Sequence, residues 1–117
     1  MLMKKKILIV LLFTMLKVGA QTSTFSVADI LFEKGRYKLA LKELENKPSS
    51  FLSNYKKAVI YESIDNYKKT VEFLEKAITI KDDKKAKLKL AKNYRRLKKS
   101  KKAILIYEEI LLKDSLN

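Results

Sequence analysis

The sequence predicts an all-α protein, and three observations lead to that fold class. The 117 residues include only two Gly and one Pro, which is too few for a turn-rich β fold. Apolar residues recur at spacings of three and four, as on one face of a helix. Small and aromatic residues also recur at intervals of about 30 residues. Together these features predict one domain built from repeated pairs of helices.

The first 20 residues have the pattern of a secretory signal peptide. Three lysines precede an apolar run at residues 7–16, and small residues lead up to Ala20. This order predicts cleavage between Ala20 and Gln21. Because Lys17 ends the apolar run after ten residues, the run is too short for a membrane-spanning helix, which needs about 20. We expect a mature chain of residues 21–117, without a membrane span, in the periplasm or outside the cell.

Helix-breaking and helix-capping residues divide the mature chain into six predicted helices. Gly35 can end a helix in the left-handed conformation, and Pro48 stops the helix that precedes it. Capping side chains are available before later helices at Ser49 or Ser50, Asp65 or Asn66, and Asp82 or Asp83. The predicted helices span residues 25–34, 37–46, 50–63, 67–81, 84–97 and 100–113.

A short motif occurs three times in register. Its recurring small residue is Ala40 in the first copy, Thr70 in the second and Ala103 in the third. Upstream of the motif, Ala58 and Tyr61 recur 33 residues later as Ala91 and Tyr94. This pattern resembles the tetratricopeptide repeat, a helix–turn–helix unit of 34 residues. The resemblance covers the mature chain as units 21–49, 50–83 and 84–117. It implies three antiparallel helix pairs stacked as a short right-handed solenoid. An irregular bundle of the same helices is the alternative.

The resemblance also implies a binding groove. In tetratricopeptide repeats the first helix of each pair lines a concave surface that receives protein partners. The residues at those positions here are Tyr55, Lys56, Val59, Glu62, Lys85, Leu88, Lys89, Lys92, Arg95 and Arg96. Three of the lysines loosely resemble the carboxylate clamp with which some family members hold a peptide C-terminus. Asp29 and Phe25 stand where that clamp needs Asn and Lys.

Positive charge is concentrated in one stretch. Residues 84–102 carry eleven Lys or Arg and no acid, in a chain with a formal net charge of +14. Uncompensated cations repel one another, so the stretch either keeps the protein in solution or attracts an anionic partner. Lysine predominates and stacking rings are scarce, which disfavours nucleic acid. An acidic protein, an acidic polysaccharide or an anionic membrane surface fits the stretch better.

The last predicted helix is apolar almost all round between residues 103 and 112. Such a helix is usually covered on both sides, whereas a terminal repeat normally has a polar outer side. Ile104, Leu105 and Leu112 are therefore predicted to form a hydrophobic edge. Further repeats, a second copy of the chain or a different protein could cover it.

The composition excludes several kinds of chemistry. The chain has no His and no Cys, so a Ser-His-Asp triad, a Cys-His dyad and a soft-metal site are ruled out. We expect no catalytic residues, no metal and no cofactor. The predicted function is a non-catalytic protein–protein interaction scaffold exported from the cytoplasm, with a basic groove that suits an acidic protein partner. The alternatives are an N-terminal fragment of a longer repeat protein and a basic module for anionic envelope components.

Overall fold

The computed structural model describes residues 24–116, which form six helices and no strand. The helices are α1 (Ser26–Glu33), α2 (Tyr37–Glu45), α3 (Phe51–Ser63), α4 (Tyr67–Ile80), α5 (Lys84–Arg96) and α6 (Ser100–Leu116). The predicted bounds agree to within one residue, except that α6 continues three residues beyond its predicted end. The predicted signal peptide and its cleavage site at Ala20 and Gln21 lie outside the described residues.

The chain divides into two compact units, one ending at Glu43 and the other beginning at Leu44. In the first unit, Ala28 of α1 and Ala40 of α2 are buried. The rings of Phe32 and Tyr37 lie 5.5 Å apart across the α1–α2 turn. This aromatic contact holds the ends of the two helices together.

In the second unit the helices pack in chain order, with α3 against α4, α4 against α5, and α5 against α6. The core combines three small and three large residues: Ala58, Leu74, Leu90, Ala91, Tyr94 and Ala103. Small residues at three of these positions let the helix axes approach closely. The rings of Tyr61 and Phe73 stack 5.5 Å apart and join α3 to α4 beside the core.

Polar side chains begin three of the helices. The Ser50 hydroxyl accepts a hydrogen bond from the Ser53 amide at 3.0 Å, while the Ser53 hydroxyl accepts one from the Ser50 amide at 2.9 Å. This reciprocal pair is a capping box. Asn66 caps α4 and Asp83 caps α5 in the same position. The structure thus selects one residue from each pair of predicted caps.

Each helix pair turns through one residue in the left-handed region: Gly35 at φ 74°, Asp65 at φ 59° and Lys98 at φ 61°. The residue after each of them donates its amide to a carbonyl five positions back, for example Lys99 to Tyr94 at 2.8 Å. This is the Schellman motif that ends many helices. Lys98 adopts it although lysine carries a Cβ, so the third turn holds strain that Gly35 avoids.

We expect Lys98→Gly to raise the free energy of unfolding by about 1 kcal/mol, because glycine adopts a positive φ without the Cβ clash. Urea denaturation followed by circular dichroism measures the change. Lys101→Gly is the matched control, since it removes the same charge from an exposed position inside α6. Lys101→Gly should lower the free energy of unfolding by about 1 kcal/mol, because glycine is unfavourable in a helix. Destabilisation by both substitutions would show that the turn holds no relievable strain.

Candidate partner-binding surface

Glu62, near the end of α3, binds three side chains of α5. Its carboxylate lies 2.8 Å from Lys89 Nζ, 2.7 Å from Asn93 Nδ2 and 3.3 Å from an Arg96 guanidinium nitrogen. The Asn93 side chain is fully buried and also donates to the Lys89 carbonyl at 2.8 Å. The two helices that were predicted to line the groove are therefore joined by one carboxylate.

The environment of Glu62 favours its charged form. Burial by itself would raise the pKa of this carboxyl group. The hydrogen bonds from Asn93 and Lys89, together with the charges of Lys89 and Arg96, outweigh burial and lower the pKa below its usual value. Glu62 is thus an ionised structural acceptor within a basic surface.

The interpretation of residues 84–102 as a run of uncompensated cations is wrong for four of the eleven. Lys84, Lys87, Lys89 and Arg96 all pair with acids from other parts of the chain. The sequence could not show these pairs, because helix packing brings in acids that lie 22 to 34 positions away along the chain.

The start of α5 is tied to the end of α6 by an ion-pair network. Lys87 lies 2.5 Å from Asp82 and 2.8 Å from Glu109, and Lys84 lies 2.7 Å from Asp114. Hydrogen bonds from Lys113 and Lys87 lower the pKa of Asp82 to about 2. The hydrogen bonds that Lys87 donates to Asp82 and Glu109 raise the pKa of Lys87, against the effect of its burial. These lysines are therefore paired within the fold.

The remaining predicted residues of α5 form a basic stripe, which we define as Lys85, Leu88, Lys92 and Arg95. Their spacings of three, four and three residues place them along one side of the helix. All four are exposed, and within residues 24–116 the three cations have no acidic partner. Lys92 and Arg95 also line an open surface depression together with Arg96. The basic stripe therefore offers its positive charge and one apolar side chain to solvent.

The predicted site residues of α3 are less accessible. Tyr55 packs against the core cluster, and its ring stacks on Phe51 at a centroid distance of 5.8 Å. Lys56 and Val59 are half-buried. The structure thus gives Tyr55 a packing role, and the exposed part of the predicted groove comes mainly from α5.

Sequence reasoning missed Asn93. The residue stands among Leu90, Ala91 and Tyr94, which are buried. An amide among such residues needs buried hydrogen-bond partners, and this was the available signal. Its acceptor, Glu62, had been placed in the groove on the resemblance alone.

The predicted hydrophobic edge lies on the open side of α6. Ile104, Leu105 and Leu112 are 52%, 65% and 64% exposed. Leu111 and Leu116 are exposed as well. Ala103 and Ile110 are the buried residues of this helix. We define the α6 outer face as Ile104, Leu105, Leu111, Leu112 and Leu116.

Within residues 24–116 no helix has the length and apolar content that crossing a membrane requires. The same part of the chain brings together no group of His, Cys, Asp or Glu side chains that could hold a metal ion.

Comparison with known proteins identifies the fold. A sequence model described as a tetratricopeptide repeat matches residues 52–84. No curated protein matches the sequence. Among solved structures, MamA (residue 41 to the end) from Desulfovibrio magneticus RS-1 is similar, with a TM-score of 0.70 and 20% identity, over 82% of this chain and 57% of that one. This chain therefore spans little more than half of the length of that MamA structure.

A second similar structure is the second tetratricopeptide-repeat domain of Spaghetti (RPAP3), bound to the HSP90 peptide SRMEEVD. Its TM-score is 0.68 at 21% identity, over 78% of this chain and 89% of that one. Identities at this level establish the fold. Residues 52–84 match the model of a tetratricopeptide repeat, and the described chain has the all-α fold of tetratricopeptide-repeat proteins.

Proposed function

We propose that this protein is a non-catalytic interaction module that binds an acidic protein partner on the basic stripe of α5. Tetratricopeptide repeats mediate contacts between proteins. The observation that carries the proposal is the set of exposed cations at Lys85, Lys92 and Arg95 with no acid opposite them in the described chain. An acidic segment would supply the missing counter-charge.

The composition of the basic stripe favours a peptide over a bare anionic surface. Leu88 is 42% exposed between Lys85 and Lys92, so an apolar side chain of the partner could pack there while its carboxylates meet the cations. Charged groups of this kind guide encounter and orientation, whereas buried apolar anchors supply most of the affinity. The peptide bound to the RPAP3 domain, SRMEEVD, is also acidic.

Two further parts of the proposal concern location and assembly. The signal peptide pattern supports export, with a mature chain beginning at Gln21 in the periplasm or outside the cell. The α6 outer face supports additional contacts there, through self-association, further repeats or another protein. The alternative of a basic module for anionic envelope components rests on the same stripe of charge.

The test compares residues 21–117 with a variant in which Lys85, Lys92 and Arg95 are changed to Glu. Lys89 and Arg96 stay unchanged, because they hold Glu62. Crosslinked capture from cell envelopes should retain one protein with the unchanged chain and lose it with the variant, by tenfold or more. Identical capture by both would contradict a role for the basic stripe.

The matched control changes Lys98, Lys99 and Lys101 to Glu, an equal charge reversal outside the stripe. This control should still capture the partner. If both triple variants lose the partner to the same extent, the net charge of the protein and not the basic stripe is responsible for its capture. Vesicles with an anionic headgroup test the envelope alternative, for which binding should collapse between about 50 mM and about 200 mM salt.

A further inference from the structure

The internal repeat shows what covers a helix like α6, because α4 occupies the same place one unit earlier. Thr70 of α4 and Ala103 of α6 are equivalent positions, 33 residues apart, and both are buried. In this register Val71, Glu75 and Ile78 of α4 correspond to residues 104, 108 and 111 of α6. Those three are Ile104, Glu108 and Leu111, so an apolar, acidic and apolar triplet occurs in both helices.

On α4 this triplet is the docking site of α5. Val71 and Ile78 pack against the core cluster, to which α5 contributes Leu90, Ala91 and Tyr94. Glu75 accepts a hydrogen bond from the Tyr94 hydroxyl at 2.5 Å. Burial and this hydrogen bond raise the pKa of Tyr94, so the hydroxyl keeps its proton and donates it to the carboxylate.

On α6 the same triplet is open. Ile104 is 52% and Leu111 is 67% exposed, and Glu108 between them is exposed as well. Glu108 has no hydrogen-bond or ion-pair partner within residues 24–116. Leu105 and Leu112 widen the apolar surface at positions where α4 has Glu72 and Thr79. The α6 outer face thus repeats the α5-binding surface of α4 and enlarges it.

We propose that the α6 outer face binds an amphipathic helix of a partner protein, and that a tyrosine of this helix donates to Glu108. The helix would resemble α5, in which a small residue precedes the tyrosine by three positions, as Ala91 precedes Tyr94. This surface is separate from the basic stripe, so the proposal stands independently of the proposed function.

The structure favours a partner in trans. The connection between α4 and α5 is residues 81–83, and the equivalent residues 114–116 are helical in α6. A following helix could not turn back at the same point. The structure also disfavours a second copy of this chain. Antiparallel pairing of two α6 helices around Ile104 and Leu112 would bring the Glu108 carboxylates of both copies together, and like charges at an interface repel each other.

The chain's own α5 provides the probe, because it is the helix that occupies the equivalent surface of α4. A fluorescent peptide of residues 83–98 is titrated with residues 21–117 at physiological salt and followed by anisotropy. We expect saturable binding. In the protein, Leu111→Lys should abolish it, and Ile104→Lys serves as a second variant if the first does not fold. Circular dichroism verifies the fold of each.

Two changes test the hydrogen bond itself. The peptide with Tyr94→Phe and the protein with Glu108→Gln should each bind about tenfold more weakly, as expected for loss of a hydrogen bond to a charged group. The matched control is Glu75→Gln in the protein. It should leave the affinity unchanged, because the peptide does not displace the resident α5 from α4.

Three outcomes would overturn the proposal. The first is equal binding of a scrambled peptide of the same composition. That result would show that binding depends on charge or hydrophobicity and not on the order of the residues. The second is loss of binding in the Glu75→Gln variant instead of the Glu108→Gln variant, which would place the peptide on α4. The third is sedimentation as a dimer that excludes the peptide and dissociates in the Leu111→Lys variant, which would identify a second copy as the occupant.

Discussion

Leu74→Ala is expected to lower the free energy of unfolding by about 3 kcal/mol. Leu74 lies on α4, is fully buried, and packs in one cluster with residues of α3, α5 and α6. Its truncation removes apolar burial and leaves a cavity that neighbouring helices cannot fill without moving. The change is measured by urea denaturation of residues 21–117. In a chain of this size such a loss is a large part of the total stability.

The matched control is Leu111→Ala, the same chemical change on α6. Leu111 is 67% exposed, so its truncation should change stability by less than about 0.5 kcal/mol. Equal destabilisation by the two substitutions would mean that the α6 outer face is covered in the isolated protein. That result would contradict its description as an open surface.

Glu62→Ala is expected to lower the free energy of unfolding by about 2 kcal/mol at neutral pH, because it removes the acceptor of a buried hydrogen-bond donor. Asn93 is fully buried, and its Nδ2 would keep only the bond to the Lys89 carbonyl. Lys89 and Arg96 would lose their acid as well. Glu72→Ala on α4 is the control, since its ion pairs with Lys69 and Lys76 are exposed and worth less than about 0.5 kcal/mol.

The pH dependence gives a second measurement on the same variant. The pKa of Glu62 is lower in the folded protein than its ordinary value of 4.5, so its ionised form stabilises the fold. That contribution is present above pH 4.5 and is lost as the pH falls through the lowered folded-state value. The stability difference between the unchanged protein and the Glu62→Ala variant should therefore narrow below pH 4.5. A difference that stays constant down to pH 2 would contradict an ionised Glu62.

The sequence alone determined the six helices of the described chain and the residues that start and end them. Gly35, Pro48 and the capping side chains act over a few neighbouring positions, so their effects can be read from the chain. The 33-residue spacing of Ala58 and Ala91 likewise predicted which positions face a neighbouring helix. The left-handed turn at Lys98 shows that the repeat register can impose a backbone conformation without the residue that usually adopts it.

Tertiary structure decided which charges serve the fold and which remain exposed. Lys85 and Lys89 look alike in the sequence, yet Lys89 is the one that pairs with Glu62. The sequence does not show this pair, because Glu62 lies on a different helix, 27 positions earlier in the chain. Glu75 and Glu108 are equivalent in the repeat, but within residues 24–116 Glu75 has a tyrosine opposite it and Glu108 does not. Ion pairs and interhelical hydrogen bonds depend on which helices pack beside each other. The order of residues along the chain does not show which side chains that packing brings within bonding distance.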